Sequence, residues 1–374
     1  MTSSVTRDES PVASRYLAVD AARGFAVTAM IIAHTAPFLR PAPRVVGLVE
    51  SLLNDVAAPL FAVVIGVTVA VTAAPPGAAT ARQRRYRVQT AIRAGALIAI
   101  GLLLDLRFSG VAVVLPHLGV TMLAMLPFLF MRTRPLLAWG AAFLVVGPAV
   151  VTWCRIYGVP MLSPNSPLAV RAVLDWIVLG RSYQTVTLLP LALIGIAVGR
   201  TILRRRSAMT MLLAASVACF LAAQLWMTLN LPGHSLRGGF VEAWREAPLA
   251  LGALAAIVLL TDLAPDRVLR MTVPPARAVA VMGTMSLSVY VLHVVILMGL
   301  YSVQPTAAES LAFWQVQPRG WLAQIGLVLT CWVFAAAWWR WMGVGPVERV
   351  LGVVSGRHRP ATLLQRRPRV PSSR

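Results

Sequence analysis

Three ionisable side chains lie in the first apolar stretch of this sequence: Asp20, Arg23 and His34. An ionisable residue in a membrane-spanning segment is costly, so each is a candidate for function. Arg23 and His34 are eleven residues apart, three turns of an α-helix, and share one face about 16 Å apart along the axis. Asp20, three residues before Arg23, joins the same stripe. The next apolar run starts with Glu50, Asn54 and Asp55. A short connection makes the two helices antiparallel neighbours, and equal depths predict that Asp55 faces His34. Two later histidines, His117 and His293, are expected at a similar depth, with Tyr290 one turn from His293 on its face. An imidazole held by a carboxylate is the usual general base toward a hydroxyl or amine. A guanidinium suits phosphate, through bidentate charge-assisted bonds. This layout fits a transfer in which a phosphorylated donor docks at Arg23, its reactive end reaches His34, and an acceptor enters from the opposite side. The phosphate-rich donor with that reach is an acyl-CoA such as acetyl-CoA. For any one histidine the competing reading is a packed ring bonded to a neighbouring carbonyl, and His117 fits that reading best.

The elements that must position these groups are membrane helices. The chain has 374 residues, 58% apolar and 13% charged, with a mean hydropathy of +0.75. A soluble domain carries about twice that charged fraction. The apolar runs predict an all-α polytopic membrane protein, a bundle of about ten transmembrane helices, over 20–39, 50–74, 92–106, 110–131, 135–154, 185–203, 208–230, 247–264, 278–302 and 321–341. The organisation expected is a tail at 1–14 without the apolar core of a cleaved signal, a membrane domain at 15–341, and a basic tail at 342–374 on anionic headgroups.

The net charge of +21 comes from arginine, since the chain contains no lysine. Ten spans put both termini on one side. With that side cytoplasmic, 25 of the 34 basic residues fall inside, as positive-inside bias requires. The expected location is therefore the plasma membrane, with both termini cytoplasmic. The lipid bilayer, rather than nucleic acid, accounts for the charge. Among the inner arginines of 82–93, Arg93 is a candidate for the CoA phosphates, although plain anchoring explains the group as well. Asp175, Arg181 and Tyr183 stand before the sixth predicted span, lining an outer entrance or holding the loop down. His234 and His358 read as solvated. Three scattered cysteines show no metal or redox spacing and read as small buried hydrophobes. No HExxH, GxSxG or Gly-rich phosphate loop suggests another chemistry, and no metal site is expected.

The segment RYLAVDAARGFAVTAMIIAH (15–34) resembles the opening of membrane-bound acyltransferases. Its Arg23-x10-His34 spacing is similar to the hallmark of the acyltransferase type 3 family. NDVAAPLFAVVIGVTVAV (54–71) is more similar to the heparan-alpha-glucosaminide N-acetyltransferase family, which places Asp, Pro, Phe and Gly as Asp55, Pro59, Phe61 and Gly66 stand here. LDWIVLGRSYQTVTLLPLALIGIAVGR (174–200) and MGTMSLSVYVLHVVIL (282–297) resemble two later helices of that family. The resemblance implies an enzyme that moves an acyl group from acyl-CoA to a sugar or glycolipid-like acceptor across the membrane. By position it implies His34 as catalytic base, Asp55 as its orienting carboxylate and Arg23 as a donor-side contact; from the residue pattern, His293 is a further catalytic candidate and Asp20 a further donor-side one. The sequence departs from the heparan-type pattern in two places. His34 stands where that family has Asn, with no histidine in 35–48, and Gln184 stands where it has Pro.

Two other readings compete. A transporter or flippase would use the histidines as a proton relay, against which the lack of an evident internal repeat argues mildly. A bis-histidine haem protein would pair residues such as His34 and His293. A homodimer is compatible with any of them.

Overall fold

The first helix, α1 (Leu17–Thr35), forms because alanine, leucine, valine and isoleucine run without proline through nineteen residues, and its polar side chains are spaced to share a stripe. Twelve further helices follow in the computed structural model, which describes residues 17–39, 42–73, 77, 79–107, 110–158, 167–180, 182–232, 238–302 and 317–356. They are α2 (Arg44–Thr72), α3 (Thr80–Arg107), α4 (Leu115–Ala124), α5 (Thr133–Trp153), α6 (Leu168–Leu174), α7 (Thr185–Thr201), α8 (Arg206–Thr228), α9 (Phe240–Thr261), α10 (Asp266–Thr284), α11 (Ser286–Ser302), α12 (Gln317–Met342) and α13 (Pro346–Val354). Among the described residues there is no strand.

Among the described residues seven helices are long and apolar enough to cross a bilayer: α1, α2, α3, α5, α8, α9 and α12. Of the ten spans expected, the other three differ. The fourth is only the ten-residue α4 and a following 3-10 turn, and the sixth is the seventeen-residue α7. The ninth breaks at Met285, where α10 and α11 meet at 77°. Hydropathy sums apolar character along the chain, and a bend or a short buried helix contributes to that sum as a straight span does. Conversely the third, expected to be short, runs 28 residues from Thr80. The expected tails at 1–14 and beyond residue 356 lie outside the described residues, as do Arg181, His234 and His358. The stretch expected as a basic tail from 342 contains α13.

The chemistry-bearing helices are central. About two thirds of the apolar window of α1 and of α2 is buried inside the protein (67% and 61%), against 22% for α3 and 17% for α8, which leave most of theirs exposed. Close approach makes this centre. Gly24 and Gly283 meet where α1 crosses α10: a Cβ on Gly283 would lie 1.7 Å from the Asp20 carbonyl oxygen, and one on Gly24 would lie 2.0 Å from that of Val279. Gly66 and Gly195 do the same where α2 crosses α7. Without water to drive helices together, such small-residue contacts carry membrane packing.

Candidate functional site

Helix α1 delivers its stripe in two parts. At one end, Arg23 Nη1 donates to Asp20 Oδ1 at 3.2 Å, and Nη2 donates to Thr68 Oγ1 of α2. The Thr68 hydroxyl in turn donates a hydrogen bond to the Val64 carbonyl oxygen. The guanidinium side chain keeps 26% of its surface and the Asp20 carboxylate 12%, so this end holds a charged, partly open pair.

Three turns on, His34 is buried with 8% of its surface left. Its Nδ1 lies 3.0 Å from Nε2 of His293, which is fully buried. The rings are nearly coplanar, 20° apart with centroids at 5.3 Å, the geometry of an in-plane N–H···N hydrogen bond. The hydrogen bond that the described residues give His34 is made through Nδ1. Tyr290 lies edge-on to His293 with centroids 4.9 Å apart. Its hydroxyl oxygen accepts the Val114 N–H at 3.1 Å, immediately before α4. One turn into α4, His117 meets the Tyr183 ring edge-to-face at 5.7 Å, and the Tyr183 hydroxyl donates to Sδ of Met30, one turn before His34 on α1. These contacts close a ring from α1 through α11, α4 and the segment before α7, back to α1. The sequence expectation that His34, His117 and His293 share a depth agrees with this ring, although the bend at Met285 means that His293 sits eight residues into α11 rather than midway along a straight span.

The expected pairing of His34 with Asp55 is corrected. Among the described residues the imidazole's hydrogen-bond partner is His293, while Asp55 Oδ2 pairs with Arg245 Nη2 of α9 at 2.5 Å, both side chains 13% exposed. Sequence reasoning missed Arg245 because it assigned 231–246 to a loop. Helix α9 instead starts at Phe240, which carries the cation into the bundle opposite α2. The spacing of Glu242, Arg245 and Glu246, which places all three on one helical face, was the available signal.

Arg93 lies on α3, partly buried, and α3 packs on α4 and α13. Glu50, noted in the sequence, accepts from Gln324 Nε2 of α12 at 3.2 Å. Gln184, the departure from the heparan-type pattern, precedes α7 and donates through Nε2 to the Gly180 carbonyl. No group of three or more metal-ligating side chains occurs among the described residues.

A buried imidazole pair and a charged pair on one face of a central helix, in a bundle of long apolar helices, define a polytopic membrane protein with a buried polar site. A family model described as an acyltransferase domain matches residues 16–339, and the chain belongs to that family. The family supports a membrane acyltransferase. No curated protein matches the chain.

Proposed function

We propose that this chain moves an acyl group, acetyl in the simplest case, from cytoplasmic acyl-CoA to a hydroxyl or amine of a sugar or glycolipid-like acceptor on the outer side of the plasma membrane. The observation that carries the proposal is the buried His34–His293 hydrogen bond standing three turns from Arg23 on the same helix. For His34 Nε2 to act as base, Nδ1 must carry its proton and donate to His293 Nε2. His293 then takes the orienting role that the sequence reading gave to Asp55. His34 Nε2 accepts the proton of the acceptor O–H or N–H as that atom bonds to the thioester carbonyl carbon. The tetrahedral intermediate collapses, the carbon–sulfur bond breaks, and the CoA sulfur leaves with the proton returned from Nε2. Arg23, held by Asp20 and Thr68, offers its guanidinium to a donor phosphate. Asp55 with Arg245 supplies polar groups beside this route, on the acceptor side. Arg93 serves the far phosphate end of the donor. The similarity of 54–71, 174–200 and 282–297 to heparan-type enzymes supports a sugar-like acceptor.

An acetyl-CoA titration of the purified protein tests this. Wild type binds and slowly hydrolyses the thioester, Arg23→Ala binds more weakly, and His34→Ala binds but does not turn over. Equal affinity in wild type and Arg23→Ala removes the donor role of Arg23. Absence of acetyl-CoA binding by wild type removes the acyl-CoA reading.

A further inference from the structure

We propose that Glu348, on the C-terminal helix α13, is a positioning residue for the histidine pair: it caps α11 across the bend at Met285 and so holds the helix that presents His293 against His34.

The first N–H groups of a helix have no partner within it. In an unbroken span the preceding turn would satisfy those of Leu287 and Ser288, but here the chain turns through 77° and α11 starts anew at Ser286. Glu348 supplies the acceptors. Its Oε1 lies 2.7 Å from the Leu287 nitrogen and 3.1 Å from that of Ser288, and its Oε2 takes the Ser288 hydroxyl proton. The arrangement is reciprocal, because the Ser288 hydroxyl oxygen accepts the Val347 N–H at 3.0 Å in the first turn of α13. Each helix caps the other. Gly345 lets the carboxylate seat fully: a Cβ there would lie 2.1 Å from Glu348 Oε2 and 2.6 Å from the Met285 Cβ. A carboxylate at a helix N-terminus is also favoured by the helix dipole.

His293 follows Ser288 by five residues, about 7.5 Å along α11. Helical continuity with α10 does not hold α11 in place, so its rotation and height depend on packing and on this cap. A small rotation moves His293 Nε2 away from His34 Nδ1. His34 then loses the hydrogen bond that fixes its tautomer.

The test is brief carbethoxylation of the full-length protein with diethyl pyrocarbonate, followed by peptide mass spectrometry at His34, His117 and His293. In wild type the fully buried His293 is protected. In Glu348→Ala the modification rate at His293 rises about tenfold while that of His117 is unchanged. Glu348→Gln keeps a carbonyl oxygen for the two amides and stays within about threefold of wild type. Protection of His293 in Glu348→Ala equal to wild type overturns the proposal. A rise shared equally with His117, or failure of Glu348→Gln to restore protection, also overturns it. The kinetic consequence rests on the acyltransferase reading: Glu348→Ala lowers kcat and leaves KM for acetyl-CoA near wild type, because Arg23 lies on α1. If wild type does not turn over acetyl-CoA, that reading fails, and the modification pattern still decides the role of the cap.

Discussion

The two ends of α1 solve opposite problems. At Arg23 the helix carries a charge, and the structure keeps it partly open: the guanidinium retains a quarter of its surface and is steadied by a carboxylate one turn back and a hydroxyl on α2. At His34 the helix carries a group that can be neutral, and the structure buries it against a second imidazole. A permanently charged arginine is expensive to dehydrate, so it stays where water or a ligand phosphate can reach it. An imidazole can be stripped of water at lower cost and there gains a defined tautomer and direction. On the proposed function, the helix separates holding a donor from moving a proton, with a span between them that suits an extended thioester arm.

The sharpest way to break this division is His34→Ala, which is expected to lower acyl transfer by about 100- to 10,000-fold while leaving acetyl-CoA affinity near wild type in a binding titration. A loss of affinity instead would place the donor at the wrong end. Next in size is the ion pair beside the site. Arg245→Ala leaves Asp55 without its 2.5 Å partner and is expected to destabilise the protein by about 3 kcal/mol in a thermal or denaturant assay, with much of that recovered in Arg245→Met combined with Asp55→Leu. Arg23→Ala sharpens the comparison from the other end, with acetyl-CoA affinity falling about tenfold and the turnover of bound donor little changed. The smallest effect is expected from Tyr290→Phe. It removes the acceptor of the Val114 N–H at a cost of about 1 kcal/mol, read as a lower melting temperature.

The sequence carried the charged end of α1 completely: Asp20, Arg23 and His34 are spaced by the helix repeat, and nothing in tertiary structure alters that stripe. It also carried the presence of His117, His293 and Tyr290 near His34's depth. It did not carry the partner of His34. Which of two candidates, Asp55 or His293, meets the ring depends on the rotation of α2 and on the bend between α10 and α11, and both are set by packing. Gly24 and Gly283 draw α1 onto α10, and that contact is visible in sequence only as two glycines far apart. Two of the ten expected spans do not appear among the described residues as long helices, for a related reason: α4 and α7 are short and packed against neighbours, and one-dimensional hydropathy does not distinguish burial of that kind from lipid exposure. Glu348 was overlooked because its segment was taken as a tail, although Gly345-Pro346 ahead of it is a helix-start signal.

The central claim is that His34 and His293 act as one unit, and a double-mutant cycle on acetyl-CoA turnover measures that directly. If the 3.0 Å hydrogen bond joins them functionally, His34→Ala combined with His293→Ala is no slower than His34→Ala alone. Losses that multiply, so that the double variant is slower than His34→Ala by the full factor that His293→Ala costs by itself, would show two independent contributions and contradict the account.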